Sequence, residues 1–134
     1  MGLLGTLNIA ASGMTAERMW MDTISSNIAN ANTTRTADGT PFRRQLVVFA
    51  ERAGVQGLGG VQVSGVVDDM SELRLVYEPS HPDANADGYV AYPNVNVVTE
   101  MVDLIAASRA YEANVTAFEA AKAAYMRTLS LLQV

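Results

Sequence analysis

The sequence predicts a mainly α protein with a small β-rich insert, its long amino- and carboxy-terminal helices pairing as a coiled-coil-like bundle. Three observations carry this expectation. Apolar residues recur at alternating four- and three-residue steps near the amino terminus, and the same repeat runs longer near the carboxy terminus. Between them lies a glycine-punctuated stretch of short runs rich in strand formers. The chain divides accordingly into residues 1–34, 35–92 and 93–134.

The amino-terminal repeat places Leu3, Leu7, Ala10, Met14, Met21, Ile24, Ile28 and Ala31 on one stripe, with Glu17 filling one expected apolar position. That is the 3.5-residue period of a helix with a seam for another helix. Such a helix is roughly 40 Å long. Ser12 and Gly13 weaken it locally, each by less than about 1 kcal/mol. Asn30-Ala31-Asn32-Thr33-Thr34 ends it, because Asn and Thr side chains compete for backbone hydrogen bonds and favour turns.

In the carboxy-terminal repeat, Val97, Met101, Leu104, Tyr111, Val115, Phe118, Tyr125, Leu129 and Leu132 follow the same spacing, with Ser108 and Lys122 in the gaps. Asn94 or Asn96 suits the N-cap. Glu100 and Asp103 complement the dipole at the helix start. Residues 96–132 contain no Gly or Pro, so the helix is on the order of 55 Å long. Its surface also carries Ala106, Ala107, Ala110, Ala113, Ala117, Ala120, Ala121, Ala123 and Ala124. Small residues around most of the circumference let other helices approach from several sides, and few charged i,i+4 pairs occupy that surface. Dense packing among many copies accounts for this. The competing reading is that the alanines serve helix propensity alone.

In the middle, Gln45-Leu46-Val47-Val48-Phe49 is rich in strand formers, and Val61-Gln62-Val63 and Leu73-Arg74-Leu75 alternate. Gly54, Gly57, Gly59, Gly60 and Gly65 mark turns or bulges. Asp87-Gly88 reads as a turn into a last strand, Tyr89–Tyr92. About 50 residues bury little core alone, so this unit is expected to be marginal without neighbours.

Composition excludes several classes of function. A net charge of −5, with Lys122 the one lysine, argues against a nucleic-acid partner, which needs clustered cations to neutralise phosphates. Residues 34–52 are net basic, carrying Arg35, Arg43, Arg44 and Arg52, and residues 53–92 are net acidic. These opposite regions are either a means of attraction between identical subunits or solvated loops of mixed charge. The absence of cysteine removes disulfides and thiolate metal sites. No run of about 18 apolar residues exists, so direct membrane insertion is not expected. No Lys or Arg precedes Arg18, so a cleaved secretory signal of the usual kind is not expected either.

Candidate chemistry is sparse. His81, followed by Pro82, reads as a turn histidine, because a metal site on one His needs converging carboxylates. Asp83-Ala84-Asn85-Ala86-Asp87-Gly88 matches the first half of a calcium loop, but Asn94 stands where a bidentate Glu is required, and an Asx-rich turn accounts for it. Met1-Gly2-Leu3-Leu4-Gly5-Thr6 fits the permissive myristoylation pattern but also begins the amphipathic helix. No phosphate-cradling loop or nucleophile elbow is present. The sequence therefore predicts no catalytic residue, no cofactor and no metal, and a structural protein rather than an enzyme.

Three segments carry a family resemblance. Ala11-Ser12-Gly13-Met14-Thr15-Ala16-Glu17-Arg18, followed by Ile24-Ser25-Ser26-Asn27-Ile28-Ala29-Asn30-Ala31-Asn32-Thr33-Thr34, resembles the amino-terminal signature of bacterial flagellar rod and hook proteins. His81-Pro82-Asp83-Ala84 with Gly88–Asn96 is similar to the proximal-rod branch of that axial family. Glu100–Ile105 with Ser108–Asn114 is similar to the carboxy-terminal signature of the rod proteins.

The resemblance implies a proximal-rod subunit of the drive shaft, exported by the flagellar type III apparatus without a cleaved signal. It implies that residues 1–34 and 93–134 form an inner assembly domain around an export channel, with 35–92 outside. Partners would be copies of the same chain, other rod proteins and the export apparatus, in the periplasmic part of the basal body. On that footing Leu7, Met14, Met21, Ile24 and Ile28 are expected to pack against Tyr111, Val115, Phe118, Tyr125 and Leu129, with Met101 and Leu104 on the same stripe. Asn27, Asn30 and Asn32 are expected to fix the turn and its inter-subunit hydrogen bonds. Alternatives are another rod or hook subunit of the same family, or a soluble helical-hairpin adaptor whose stripes pair only within one chain.

Overall fold

The computed structural model describes residues 2–54 and 59–132. Met1 of the myristoylation pattern, the expected turn at Gly57, the Leu3 side chain on the amino-terminal stripe and residues 133–134 lie outside that description. Helix α1 spans Leu3–Ala29 and helix α2 spans Val97–Leu132. Between them come β1 (Gln45–Glu51), β2 (Val61–Asp68), β3 (Arg74–Tyr77) and β4 (Tyr89–Tyr92). The mainly α architecture with a small β middle is as the sequence predicts.

The helix ends have local causes. At the end of α1 the Asn30 side-chain amide donates to the Ser26 carbonyl at 2.9 Å, and the Thr33 hydroxyl donates to Asn30 Oδ1 at 3.1 Å. These bonds take up groups that another helical turn would need. At the start of α2, Asn96 Oδ1 accepts from the backbone N–H groups of Val98 and Thr99 at 3.0 and 3.2 Å, so Asn96 is the N-cap. Asn94 has a different role, described below.

The strands form two separate antiparallel hairpins, β1–β2 and β3–β4. In the first, Val48 pairs with Gly65 but Phe49 pairs with Val63, leaving Ser64 as the extra residue of a bulge. In the second, Arg74 faces Tyr92 and Tyr77 faces Tyr89. Its turn closes on Asn85, whose Oδ1 accepts from Asp87 and Tyr89 N–H groups at 3.0 and 2.9 Å. Gly88 sits at φ 83°, and a Cβ there would stand 2.8 Å from the Tyr77 ring, so both backbone and space require glycine.

Helix α1 is buried on two sides. It lies against α2 and also against both strands of the first hairpin. The Ser12 hydroxyl donates to the Ile9 carbonyl at 2.7 Å and accepts the Val61 N–H at 3.1 Å, tying β2 to α1. Trp20 meets Phe49 of β1 edge to face, centroids 6.0 Å apart. Among the described residues the buried hydrophobic side chains, proline aside, are Ala10, Ala16, Ile24, Ala31, Val90, Ala107 and Ala121. Five of the seven are alanine, so the chain's own core is thin.

Candidate assembly surface

Two close contacts fix the register of the helices. A Cβ on Gly13 would come within 2.7 Å of Asn114 Nδ2. Asn27 Nδ2 donates to Glu100 Oε2 at 3.0 Å. Fourteen residues separate the contacts on each helix, so the pair is antiparallel and each position faces the one whose number completes 127. Gly13 is therefore a point of close approach rather than a weakness in α1.

The buried face of α2 runs through Glu100, Leu104, Ala107, Tyr111, Asn114, Phe118, Ala121 and Tyr125. Leu104, Tyr111, Phe118 and Tyr125 belong to the expected stripe. The alternate column does not. Met101 and Lys122 are exposed and Ser108 and Val115 half-buried, whereas one residue earlier Glu100, Ala107 and Ala121 are buried and Asn114 is half-buried against Gly13. Small and polar residues there let α1 come close at Gly13, where the large alternating knobs of a coiled coil would hold it away. The four- and three-residue spacing is kept along this seam, with one of its two columns shifted by one residue.

The remaining expected interface residues divide clearly. Ile24 and Asn27 are buried. Leu7, Met14, Met21, Ile28, Asn30 and Val115 are half-buried. Asn32, Met101 and Leu129 are exposed. Met101 adjoins Val98, Val102 and Ile105, a strongly exposed apolar patch on the first turns of α2.

The same register leaves α2 longer than its partner. Leu3 falls level with Ala124, so Met126–Leu132 project beyond α1 by roughly 10 Å. Met126 is 58% exposed, Leu131 77% and Leu132 76%. Exposed alanines, including Ala113, Ala117, Ala120 and Ala124, continue along α2.

A polar clasp joins the helices to the first hairpin. Asn27 Nδ2 also donates to the Gln45 carbonyl at 2.9 Å, and Asn27 Oδ1 accepts the Gln45 N–H at 2.8 Å. The second oxygen of the fully buried Glu100 accepts from Arg44 Nε. Arg44 reaches Asp103 at 3.4 Å and Asp69 at 3.7 Å. Its backbone N–H donates to Asn94 Oδ1 at 2.8 Å, and Asn94 Nδ2 donates to the Asp69 carbonyl and Ser71 hydroxyl. Four segments far apart in sequence thus share one network, around Asn27, Arg44, Asp69 and Glu100, in which the buried Asn27 and Glu100 are both partnered.

A second tether holds the other hairpin. The Asp83 carboxylate accepts from the Thr34 hydroxyl at 2.8 Å and pairs with Arg35. The Thr34 hydrogen bond first, and Arg35 beside it, hold the Asp83 carboxyl below the usual aspartate range. His81 Nδ1 accepts the Asp83 N–H at 3.0 Å, a turn role. Asp83 and Asn85, the first and third positions of the supposed calcium loop, are thus engaged in tether and turn. Arg43 donates to the Asp69 and Ser71 carbonyls at 3.3 and 3.1 Å. Arg35, Arg43 and Arg44 therefore find partners within the chain, Arg35 and Arg43 in the acidic middle and Arg44 both there and on α2.

Sequence reasoning singled out Asn27 but not its partners. Glu100 was read as a dipole residue and Arg44 as part of a basic loop. Glu17 is the clearest missed feature. Its Oε2 is out of solvent contact with no hydrogen-bond partner among the described residues, and desolvation pushes its carboxyl above the ordinary glutamate value. The signal was present: Glu17 interrupts an otherwise apolar stripe.

Comparison with known proteins agrees with these features. Residues 7–35 match the model of the flagella basal body rod protein family, and residues 86–131 match that of the flagellar basal body rod FlgEFG protein carboxy-terminal family. The flagellar basal-body rod protein FlgC of Borreliella burgdorferi is 45% identical, with 99% of both chains covered. That of Bacillus subtilis is 43% identical, covering 94% of this chain and 95% of its own. That of Salmonella typhimurium is 42% identical, covering 99% of this chain and 100% of its own. With paired terminal helices, both family segments and this likeness along its length, the chain belongs to the FlgC family of flagellar basal-body rod proteins and is a structural subunit, not an enzyme.

Proposed function

We propose that this rod subunit serves the proximal part of the drive shaft, polymerising with copies of itself and with other rod proteins around an export channel. The exposed carboxy-terminal overhang of α2 carries this reading. A helix end with several exposed large apolar residues is stabilised when a neighbour removes it from water, at about 25 cal/mol per Å². Residues 1–34 and 93–134 act as the inner assembly domain, and 35–92 as the outer region. The assembly interface draws on the predicted residues that remain exposed or half-buried, with Met101 and Leu129 the most available to a neighbour.

Torque transmission calls for a stiff link between layers. The clasp of Asn27, Arg44, Glu100 and Asn94 supplies one, because it fixes hairpin and helices in one geometry. Delivery is by the flagellar type III export apparatus, without a cleaved signal, to the periplasmic part of the basal body. The thin core suits such delivery: little burial holds the free subunit's helix ends in place before assembly.

The test is circular dichroism of the free subunit against the assembled form. More helix in the assembled form is expected. Equal helix content in both states would count against folding coupled to assembly.

A further inference from the structure

An open groove of about 460 Å³ lies where α1, α2 and the first hairpin meet. Gly13, Ala16 and Gly60 line it with little or no side chain, and Ile9, Phe49 and Val61 give it apolar walls. Among the described residues the one charged side chain lining it is Glu17, whose Oε2 has no hydrogen-bond partner among them. A buried acceptor left unpaired is costly, so an occupant bearing a donor is favoured. The groove asks for a narrow apolar element with a single cation.

The overhang of α2 meets that description. Between Met126 and Leu132 the one charge is Arg127. On the same helical face lie Leu131 within the overhang and Ala120 and Ala124 just before it, all exposed. Small residues there match the glycine and alanine of the groove, and Leu131 matches its apolar wall. The contact cannot form within one chain: Glu17 is level with Ala110, and Arg127 is a further roughly 25 Å along α2.

We propose that the groove receives the carboxy-terminal end of α2, from Ala120 through the overhang, of a second copy of this chain, whose Arg127 pairs with Glu17. Tip and groove are different surfaces, so the contact is head-to-tail and propagates rather than closing on a pair. The charge pair gives orientation and the small residues give close approach. The inference rests on the rod reading above and names one of its interfaces.

Cells lacking their own copy are supplied with variants, and the copies in purified basal bodies are counted. Glu17→Arg and Arg127→Glu are each expected to lower incorporation about tenfold, and the double reversal to restore it. Because the chain has no cysteine, a second measurement is clean: Glu17→Cys and Arg127→Cys copies are expressed together and oxidised in assembled rods. A cross-linked species of twice the chain mass, missing when either variant is alone, is expected. Restoration or that cross-link supports the contact. Neither, in rods that contain the variants or in the reversal series, overturns it, as does a cross-link only to a protein of different mass. If the unaltered chain itself is missing from basal bodies, the rod reading fails instead, and the two failures are told apart.

Discussion

The side-chain amide of Asn27 on α1 donates to the carboxylate of Glu100 on α2 at 3.0 Å, in an interior where both residues are almost wholly closed to water. This bond joins positions 73 residues apart in the chain. It also sets the register of the helical pair and, through Arg44 and Gln45, the seat of the first hairpin.

Removing one member of the clasp leaves the others buried without partners. Glu100→Ala is expected to destabilise the subunit by about 3–5 kcal/mol, because Arg44 and Asn27 lose their shared acceptor. A chain with both Glu100→Leu and Arg44→Met is expected to recover much of that loss in thermal stability. Its hairpin amides at Gln45–Glu51 should nevertheless exchange with solvent faster than in the parent, since orientation is lost even where stability is not. Equal stability of Glu100→Ala and the parent would contradict the clasp.

Close approach of the helices is tested at Gly13. Gly13→Val places atoms where Asn114 already stands, and overpacking of this kind costs about 1–3 kcal/mol. Asn114→Ala in the same chain should return most of it. Additive losses in a double-mutant cycle would mean that the two residues do not share the contact.

Glu17 makes the stability of the free subunit depend on pH. Its carboxyl is raised in the folded chain by desolvation, so the folded state holds a proton that the unfolded state has released. Stability contributed in this way is present at low pH and is lost as pH rises from the ordinary glutamate value through the raised one. Glu17→Gln removes this dependence. The melting temperature of the variant should therefore gain on that of the parent as pH increases to neutrality.

The sequence made the helices, part of each of the four strands and the Asn85–Gly88 turn legible for local reasons. Periodicity of 3.5 residues, glycine at a turn and an Asn ahead of α2 act within a few positions. The seam was half legible. Leu104, Tyr111, Phe118 and Tyr125 are large and apolar, so spacing finds them. Glu100, Ala107, Asn114 and Ala121 are small or polar, and their burial is decided by Gly13 and Asn27 across the interface. No local pattern encodes that choice. The charge pattern misled for the same reason: Arg35, Arg43 and Arg44 find partners 26 to 59 residues away in the same chain.

The central claim is that the ends of this chain are assembly elements, and the α2 overhang tests it most directly. Residues 126–132 lie beyond the reach of α1, so after deletion of 126–134 the purified subunit should keep its melting temperature within a few degrees. In cells lacking their own copy, the truncated chain should be missing from purified basal bodies. Truncated chain present in rods at the level of the parent would contradict the account.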